Sequence, residues 1–422
     1  MTSDNAAQSS SDSAVSEQFD VVVIGGGSGG ISVSASLLKR DKTLRLAIIE
    51  PSSKHCYQPA WTLVGGGVYD VAKTVKATSE VIPQGATWLN NSAQRVDASA
   101  HQVELDDGRL IGYQQLVVAP GLRLAWEKIE GVEETLGKNG VTSNYRLDLA
   151  PYTWKLVQAL ENGTALFTQP PMPIKCAGAP QKALYLSCDY WRHQGVASSI
   201  DVEFALAGAA LFGVAEFVPT LQSYIERYNA ALSFNQNLVA VDGPNHKATF
   251  EVTNEAGEQV RVEKHFDMLH VVPPQVAPDF IKESGLGNAA GWVEVDPDTL
   301  RHTRFEDVFA LGDCIGTTNA KTAAAARKQS VVVAVNLLAA RNGKELPAHY
   351  DGYGACPLTV ERGKVVLAEF GYGGKLLPTF PLDPKVPRKL NWWMKTELLP
   401  CLYWNGMLKG REWLTRARID KK

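Results

Sequence analysis

The sequence predicts an α/β protein with two successive units of parallel sheet and helix, followed by a C-terminal helical region. Three observations lead to this fold class. The run Phe19–Ile24 is apolar apart from Asp20, as in a strand buried on both faces of a parallel sheet. A glycine-rich turn joins that run to a helix, and a second series of apolar strands opens at Gly163. With 422 residues, the chain is also too long for a single core.

The first unit is a βαβ arrangement. Its strands are predicted at Phe19–Ile24 and Leu44–Ile49, with a helix from Ile31 to Leu38 between them. Strand-like runs near 94–98 and 101–105 flank an Asp-Asp-Gly turn and indicate a hairpin. A further buried strand is predicted at 115–119.

The second unit begins with the strand Gly163–Thr168 and continues with strands predicted at 199–205 and 231–241. The run Val308–Asp313 returns to the character of the first unit, and a long alanine-rich helix is predicted from Thr322 to Ala340. These patterns predict five segments. They are a disordered lead-in (1–18), a dinucleotide-binding part (19–150), a second Rossmann-like domain (151–290), a return to the first domain (291–345) and a C-terminal region (346–422).

Charge is unevenly distributed along the chain, whose formal net charge is −3. Residues 385–422 carry ten Lys and Arg against three acids, a net charge of +7, so the remainder carries −10. A basic tail on an acidic body indicates an anionic surface as partner, and a membrane is favoured over nucleic acid. The lead-in 1–18 contains no Lys or Arg, which is unlike a signal peptide, and no run of about 18 apolar residues would span a bilayer.

The turn after the first strand has the spacing of a dinucleotide site. Gly25 permits a tight turn, Gly27 allows the backbone to approach a pyrophosphate, and Gly30 allows close packing of helix and strand. Amides at the start of the helix face the phosphates, and an acid about 20 residues further on accepts hydrogen bonds from a ribose. The residues predicted to form this site are Gly25, Gly27, Ser28, Gly29, Gly30 and Glu50.

A second motif distinguishes FAD from NAD. The strand Val308–Ala310 runs into Gly312-Asp313; taken alone, this pair is typical of a helix N-cap. Together with the glycine turn and Val117–Gly121, it resembles flavoproteins with two dinucleotide-binding folds. That resemblance implies FAD as cofactor, with Ala119, Gly121 and Asp313 among its contacts. The middle unit has no second glycine motif, since its turn reads Thr168–Cys176, so no nicotinamide site is predicted there.

Several uncommon motifs are similar to those of sulfide:quinone oxidoreductases, particularly the branch that includes the mitochondrial enzyme. The resemblance runs from about Phe19 to Trp413. The motifs that carry it are Pro173–Lys182, His55–Gly67, Asn319–Ala324, Tyr350–Leu358 and Leu398–Asn405.

The resemblance implies a redox pair formed by Cys176 and Cys356. In the oxidised enzyme they form a disulfide, with or without an extra bridging sulfur. Hydrosulfide attack leaves a persulfide on Cys356 and a thiolate on Cys176, and FAD takes up the electrons. The sulfane sulfur leaves to a small acceptor such as glutathione, sulfite, cyanide or sulfide, and a quinone of the ubiquinone type reoxidises the flavin.

The resemblance also assigns further positions. Lys321 would lie near the flavin pyrimidine, Gln58 and Thr322 would contact the cofactor, and Val96 would cover the adenine. The predicted walls of a quinone channel are Phe370, Tyr372 and Phe380. The remaining cysteines, predicted to be packing thiols, are Cys56, Cys188, Cys314 and Cys401, and their spacing predicts no metal site.

The C-terminal region combines tryptophans with basic residues, a composition that suits the lipid headgroup boundary. Pro400 is predicted to split it into two short amphipathic helices. The apolar residues predicted for that surface include Trp392, Trp393, Leu398, Leu402, Tyr403, Trp404, Met407 and Leu408. The alternative is packing on the chain's own domain or on a second subunit, which leaves a homo-oligomer open.

The predicted location is therefore peripheral, at the cytoplasmic face of a bacterial inner membrane. Two other functions are kept as alternatives. One is a flavin sulfide dehydrogenase coupled to a cytochrome; the basic tail counts against it. The other is a non-catalytic flavin redox sensor, which would have no need of both Cys176 and Cys356.

Overall fold

The computed structural model describes residues 15–253, 256–415 and 418–419. Most of the predicted lead-in, residues 1–14, lies outside the described residues. The first strand starts at Glu17, two residues before the predicted start at Phe19.

The described residues form the following strands and helices, numbered in chain order. The strands are β1 (Glu17–Ile24), β2 (Leu46–Ile49), β3 (Lys54–Cys56), β4 (Val75–Ala77), β5 (Ala86–Leu89), β6 (Ala93–Asp97), β7 (Gln102–Leu105), β8 (Leu110–Val118), β9 (Arg123–Leu124), β10 (Val141–Thr142), β11 (Gly163–Gln169), β12 (Ile200–Leu206), β13 (Ala231–Ser233), β14 (Gln236–Asp242), β15 (Lys247–Thr253), β16 (Gln259–His265), β17 (Met268–His270), β18 (Gln275–Val276), β19 (Val308–Ala310), β20 (Ala348–His349), β21 (Gly354–Glu361), β22 (Lys364–Phe370) and β23 (Arg418–Ile419). The α-helices are α1 (Ser28–Arg40), α2 (Trp61–Gly65), α3 (Thr78–Val81), α4 (Ala150–Ala159), α5 (Ala179–Gln194), α6 (Val218–Arg227), α7 (Asp279–Glu283), α8 (Ala323–Arg341), α9 (Lys389–Trp393) and α10 (Leu399–Asn405).

The first sheet has the order β5-β2-β1-β8-β7-β6, and β19 also pairs with β8. β8 is long enough for β7 to pair with its first half and β19 with its second half. β1, β8 and β19 are parallel, so their carboxyl ends meet at one edge of the sheet. The Asp-Asp-Gly turn at 106–108 does close a hairpin, because it joins the antiparallel strands β7 and β8. The two runs that were predicted to flank it correspond to β6 and β7, which are joined at 98–101 instead.

The second sheet is parallel throughout, in the order β10-β17-β11-β12-β13. Its strand β10 precedes residue 151, where the second domain was predicted to begin. The single strand predicted at 231–241 divides into β13 and β14, which belong to different sheets. The break falls next to Asn235, whose φ of 55° lies in the left-handed region and cannot continue a strand.

The C-terminal region packs on both units. Cys356 and Leu358 of β21 lie in the core of the second sheet, whereas Tyr403 and Trp404 of α10 lie in the core of the first. Ile281 of α7 also belongs to the first core, so the chain returns to the first unit before residue 291, the predicted boundary.

Helices α9 and α10 form one continuous helical segment, joined by the π-helical turn Met394–Leu398. Pro400 therefore does not split the segment, contrary to the prediction. A proline cannot donate to the preceding turn, and here it lies at the start of α10, directly after the π turn has already shifted the hydrogen-bonding pattern. Within the residues described, no helix has the length and apolar character needed to cross a membrane.

Candidate active site

The glycine turn after β1 has the shape of a dinucleotide cradle. Gly25 has a φ of 98°, and a Cβ there would collide with the carbonyl oxygen of Ala119. A Cβ on Gly30 would collide with the carbonyl oxygen of Gly25, so helix and turn are packed as the spacing predicts. A Cβ on Gly27 would meet no atom within 4 Å. The turn is therefore open at the position where a pyrophosphate would approach the start of α1.

Glu50 holds the same turn from the end of β2. Its carboxylate accepts hydrogen bonds from the amides of Gly26 (2.7 Å) and Ser52 (2.8 Å). The side chain is thereby fixed beside the cradle, in the place where a ribose-binding acid is expected.

The C-terminal helix is hydrogen-bonded to this turn. The Nδ1 atom of His55 lies 3.0 Å from the carbonyl oxygen of Gly26, and its Nε2 lies 2.7 Å from the hydroxyl of Tyr403. Burial lowers the pKa of His55, so the ring is neutral and Nδ1 carries the proton. Nε2 then accepts from Tyr403, and Ser28, at 2.7 Å, must donate to the Tyr403 oxygen. The Ser28 amide, not its hydroxyl proton, remains available to a phosphate.

Asp313 and Lys321 lie at the carboxyl end of β19. Burial raises the pKa of Asp313, although Lys321 and Lys175 act in the opposite direction. The Nζ atom of Lys321 donates to the carbonyl oxygens of Asp313 and Ile315, both at 2.8 Å, and burial lowers its pKa. This buried cation lies next to the backbone of Asp313, where the resemblance places the flavin.

The other predicted cofactor contacts are distributed around the same edge. Gln58 accepts a 2.6 Å hydrogen bond from Nζ of Lys175. The Thr322 hydroxyl caps α8 by accepting from the amide of Ala325, so its side chain already has a structural partner. Val96 is buried on β6. Gly121 has a φ of 75°, and a Cβ there would meet nothing within 4 Å.

These residues fit FAD. The open positions at Gly27 and Gly121 leave room for a ligand along the carboxyl edge of the first sheet. Nearby, the buried amide Nε2 of Gln275 has no hydrogen-bond partner among the described residues, although its Oε1 accepts from the amide of Lys175. These groups would hold the pyrophosphate, ribose and flavin ends of FAD.

Cys176 and Cys356 are brought together by the fold. Cys176 lies in the turn between β11 and α5, and Cys356 lies on β21; their Sγ atoms are 3.7 Å apart. The Cys176 amide donates to the carbonyl oxygen of Lys321 at 2.8 Å, which ties the sulfur-bearing turn to the flavin edge. A Cβ on Gly178 would lie 2.7 Å from Sγ of Cys356 and would also collide with Leu358. Glycine at 178 is what allows the two sulfurs to approach.

The two thiols have different electrostatic surroundings. Lys182 lies in the first turn of α5, and its Nζ donates to Sγ of Cys176 at 3.0 Å. A hydrogen bond from the Cys356 thiol, supported by the charge of Lys182, lowers the pKa of Cys176 well below its usual value. The same contact with Cys176, together with burial, raises the pKa of Cys356. Cys176 is therefore the thiolate of the pair.

Three residues at this site were missed in the sequence. The first is Lys182. A lysine in the first turn of a helix is unusual, because the helix dipole disfavours a cation there unless an anion lies nearby, and this could have indicated its role. The Tyr145 hydroxyl donates to the carbonyl of Lys175 at 3.1 Å and so fixes the turn. Lys395, on the π turn, is only 5% exposed and acts electrostatically on both sulfurs.

The remaining cysteines lie in different surroundings. Burial raises the pKa of Cys314 to about 12 and also raises that of Cys188. Burial raises the pKa of Cys56 as well, and Cys401 is exposed on α10.

The three residues predicted to line a quinone channel have different surroundings in the fold. Phe370 packs edge-on against Phe212 in the second core. Tyr372 packs against the first core and donates to the carbonyl of Pro297 at 2.8 Å, while Phe380 is exposed at the surface.

The apolar surface of the C-terminal region also differs from the prediction. Four residues expected to face lipid are buried in the first core instead: Tyr403, Trp404, Met407 and Leu408. One group of exposed large apolar side chains in this region, which we call the 380–393 patch, consists of Phe380, Leu382, Val386, Leu390 and Trp393. Further along the chain, Trp413, Leu414 and Ile419 are exposed as well. The apolar side chains of α10 are therefore buried by packing on the chain's own domain. Those of α9 and of the loop before it are exposed to solvent.

Comparison with known proteins identifies relatives along nearly the whole chain. The family model described as pyridine nucleotide-disulphide oxidoreductase matches residues 19–165. The mitochondrial sulfide:quinone oxidoreductase of Dictyostelium discoideum is 40% identical over 93% of this chain and 86% of its own length. The mouse mitochondrial enzyme of the same name is 38% identical over 93% of this chain and 87% of its own. The solved sulfide:quinone oxidoreductase of Aquifex aeolicus superposes with a TM-score of 0.76 at 18% identity, covering 94% of this chain and 92% of that one, and shares the fold.

Proposed function

Because this chain belongs to the sulfide:quinone oxidoreductase family, we propose that it oxidises sulfide through a relay between Cys176 and Cys356, with electrons passing to a membrane quinone. The observation that carries the proposal is the 3.7 Å separation of the two sulfur atoms beside the flavin edge. In this proposal the first unit holds FAD and the second supplies Cys176, with Cys356 contributed by the C-terminal region.

The asymmetry of the thiols supports the direction of the first step. Hydrosulfide attacks Sγ of Cys356 in the oxidised pair; a new S–S bond forms there as the Cys176–Cys356 bond breaks. The electron pair of the broken bond stays on Sγ of Cys176. A thiol with a lowered pKa leaves faster, so Cys176 is the leaving group and Cys356 carries the persulfide.

The second step removes the sulfane sulfur. A small nucleophile such as sulfite, glutathione, cyanide or a second sulfide bonds to the outer sulfur, and the bond to Sγ of Cys356 breaks to leave a thiolate. The two thiolates then return to the disulfide by giving up two electrons. FAD, when bound, supplies the two-electron acceptor that links this oxidation to the quinone. Lys182 and Tyr145 hold the sulfur-bearing turn through both steps.

The 380–393 patch supports peripheral attachment to a membrane. Leu390 and Trp393 are 53% and 51% exposed and lie three residues apart, so they share one face of α9. Basic residues Lys385, Arg388 and Lys389 are interleaved with them, as in helices that lie in the headgroup region. This apolar surface favours a lipid-soluble acceptor over a cytochrome. The mouse and Dictyostelium relatives are named as mitochondrial enzymes, and a bacterial cytoplasmic face remains a prediction for this chain.

The test is an anaerobic titration of the FAD-loaded protein with sulfide, followed by flavin absorbance. We expect the parent to bleach, and we expect Cys176→Ser and Cys356→Ser to remain yellow. Cys188→Ser removes a buried thiol of the second core and serves as the matched control, which should bleach as the parent does. Bleaching in both active-site variants would rule out the relay. Flotation with liposomes, compared between the parent and a Leu390→Asp, Trp393→Asp variant, tests the membrane surface separately.

A further inference from the structure

Lys321 is a buried cation whose direct partners are all uncharged. The residue is 6% exposed, and its Nζ donates to the carbonyl oxygens of Asp313 and Ile315, both at 2.8 Å. The same Nζ lies 4.3 Å from the centroid of the Trp292 ring, within the range of a cation–π contact. Across the residues that the structure describes, it forms no ion pair with a carboxylate. The Asp313 side chain acts on it only at longer range, raising its pKa against the larger effect of burial.

This set of partners stabilises an ammonium without neutralising it. A buried ammonium loses its hydration and needs other polar groups in exchange. Carbonyl dipoles and the negative face of an aromatic ring both attract a cation, but neither carries a net charge. A carboxylate in contact would cancel most of the field of the ammonium, whereas this cage leaves the full positive charge of Lys321 acting on its surroundings.

Trp292 is held by the backbone pairing that also presents the acceptor Ile315. The amide of Val293 donates to the carbonyl oxygen of Cys314, and the amide of Gly316 donates to that of Val293, both at 2.9 Å. Trp292 itself is 7% exposed and belongs to the core of the first unit. The ring and one of the two carbonyl acceptors are therefore fixed by a single piece of backbone.

The ammonium also has a free donor at the edge where FAD would be held. Nζ has three N–H bonds, and the two carbonyl oxygens use two of them. The third has no acceptor among the described residues. Lys321 follows β19, at the carboxyl end of the first sheet, and its own carbonyl accepts from the amide of Cys176 at 2.8 Å.

We propose that Trp292 is a positioning residue that sets the reduction potential of the flavin by holding the Lys321 ammonium beside it. Reduction by two electrons and one proton leaves the flavin with one additional negative charge, which a nearby cation stabilises. The Trp292 ring keeps that cation in place and charged, and thereby favours the reduced flavin. This inference rests on the proposed flavin-dependent function.

The test weakens the ring face while keeping the shape of the side chain. Tryptophan analogues with one to four fluorine atoms replace Trp292 alone, by suppression of a stop codon at that position, in the FAD-loaded protein. Each fluorine withdraws electron density and reduces the attraction of the ring for a cation. The readout is the two-electron midpoint potential of the bound flavin, measured anaerobically against a reference dye. We expect the potential to fall stepwise, by about 30 mV or more in total, which is about tenfold in the reduction equilibrium.

Three substitutions accompany the series. Trp292→Leu removes the ring and should lower the potential at least as far as four fluorine atoms do. Lys321→Met removes the cation and should lower the potential further, and in that background the fluorine series should have no effect. Phe250→Leu removes the ring that lies 5.1 Å from Nζ of Lys264 in the second unit, and it should leave the potential unchanged. FAD content confirms that each variant is folded.

The outcomes separate this inference from the proposed function. A potential that stays constant or rises along the fluorine series would overturn the role of Trp292. A series that shifts the potential equally in the Lys321→Met background would assign the effect to the ring itself and would overturn it too. Because the dye needs no sulfide, a parent that sulfide does not bleach would overturn the proposed function while the fluorine series still decides the role of Trp292.

Discussion

Replacement of Lys182 by methionine tests the electrostatic origin of the reactive thiolate. Two unit charges at the observed 3.0 Å interact by about 5.5 kcal/mol at an effective dielectric constant of about 20. That energy corresponds to about four pKa units and is an upper limit, because burial of Lys182 itself offsets part of it. We expect the pKa of Cys176 to rise by at least about two units in Lys182→Met. Lys182→Arg should change it little, since the charge is kept.

The assay is the pH dependence of alkylation of Cys176 by iodoacetamide, followed by mass spectrometry of its peptide. The FAD-loaded protein is used in a Cys356→Ser background, so that a single thiol titrates at the site. Lys155→Met, which lacks an exposed ammonium of α4, is the control for a general loss of positive charge. An alkylation midpoint that is the same in Lys182→Met and Lys182→Arg would refute the assignment of Lys182 as the stabilising group.

Three further predictions concern packing, cofactor retention and acid stability. Gly178→Ala should impair formation of the Cys176–Cys356 disulfide, because the new Cβ would lie 2.7 Å from Sγ of Cys356. The measurement is the intact mass of the protein under non-reducing conditions. Gly208→Ala is the control and should form the disulfide normally, since a Cβ there meets nothing within 4 Å. Tyr403→Phe removes two hydrogen bonds at the cofactor turn, so it should speed FAD release, measured as free-flavin fluorescence, and should lower the free energy of unfolding by about 1–3 kcal/mol. Burial lowers the pKa of His270 to about 4 in the folded state. Because the unfolded state binds the proton first as the pH falls below about 6.5, this group should cost about 2 kcal/mol of stability between pH 7.5 and pH 5. The Tm of His270→Leu should therefore change less over that interval, and an equal change in both proteins would contradict the assignment.

The parts of the structure that the sequence predicted are those with local causes. The glycine turn needs residues without a Cβ at Gly25 and Gly30. Both positions lie within one short segment of the sequence, so a local pattern reveals them. Buried parallel strands such as β1 likewise show themselves as apolar runs. The pairing of Cys176 with Cys356 came from resemblance, because no local pattern relates two residues that only the fold brings together.

What could not be predicted depends on long-range packing. Periodicity identifies α10 as amphipathic, but it cannot tell whether Tyr403 and Trp404 face lipid or the protein's own core. Asn235 looked compatible with a strand, and its left-handed backbone became evident only in the structure. Lys395 lies in a segment that reads as a membrane-facing helix, but it is buried on the π turn, which continues from α9, the helix that packs on β22.

The hydrogen bond between Tyr403 and Ser28 has a consequence for how the protein is made. Ser28 leaves the ribosome 375 residues before Tyr403. The glycine turn of a nascent chain therefore lacks this support until α10 has been translated. Premature termination before α10 would give a chain whose two sheets are complete but whose flavin pocket is unsupported, and bound yellow colour would distinguish finished molecules from truncated ones.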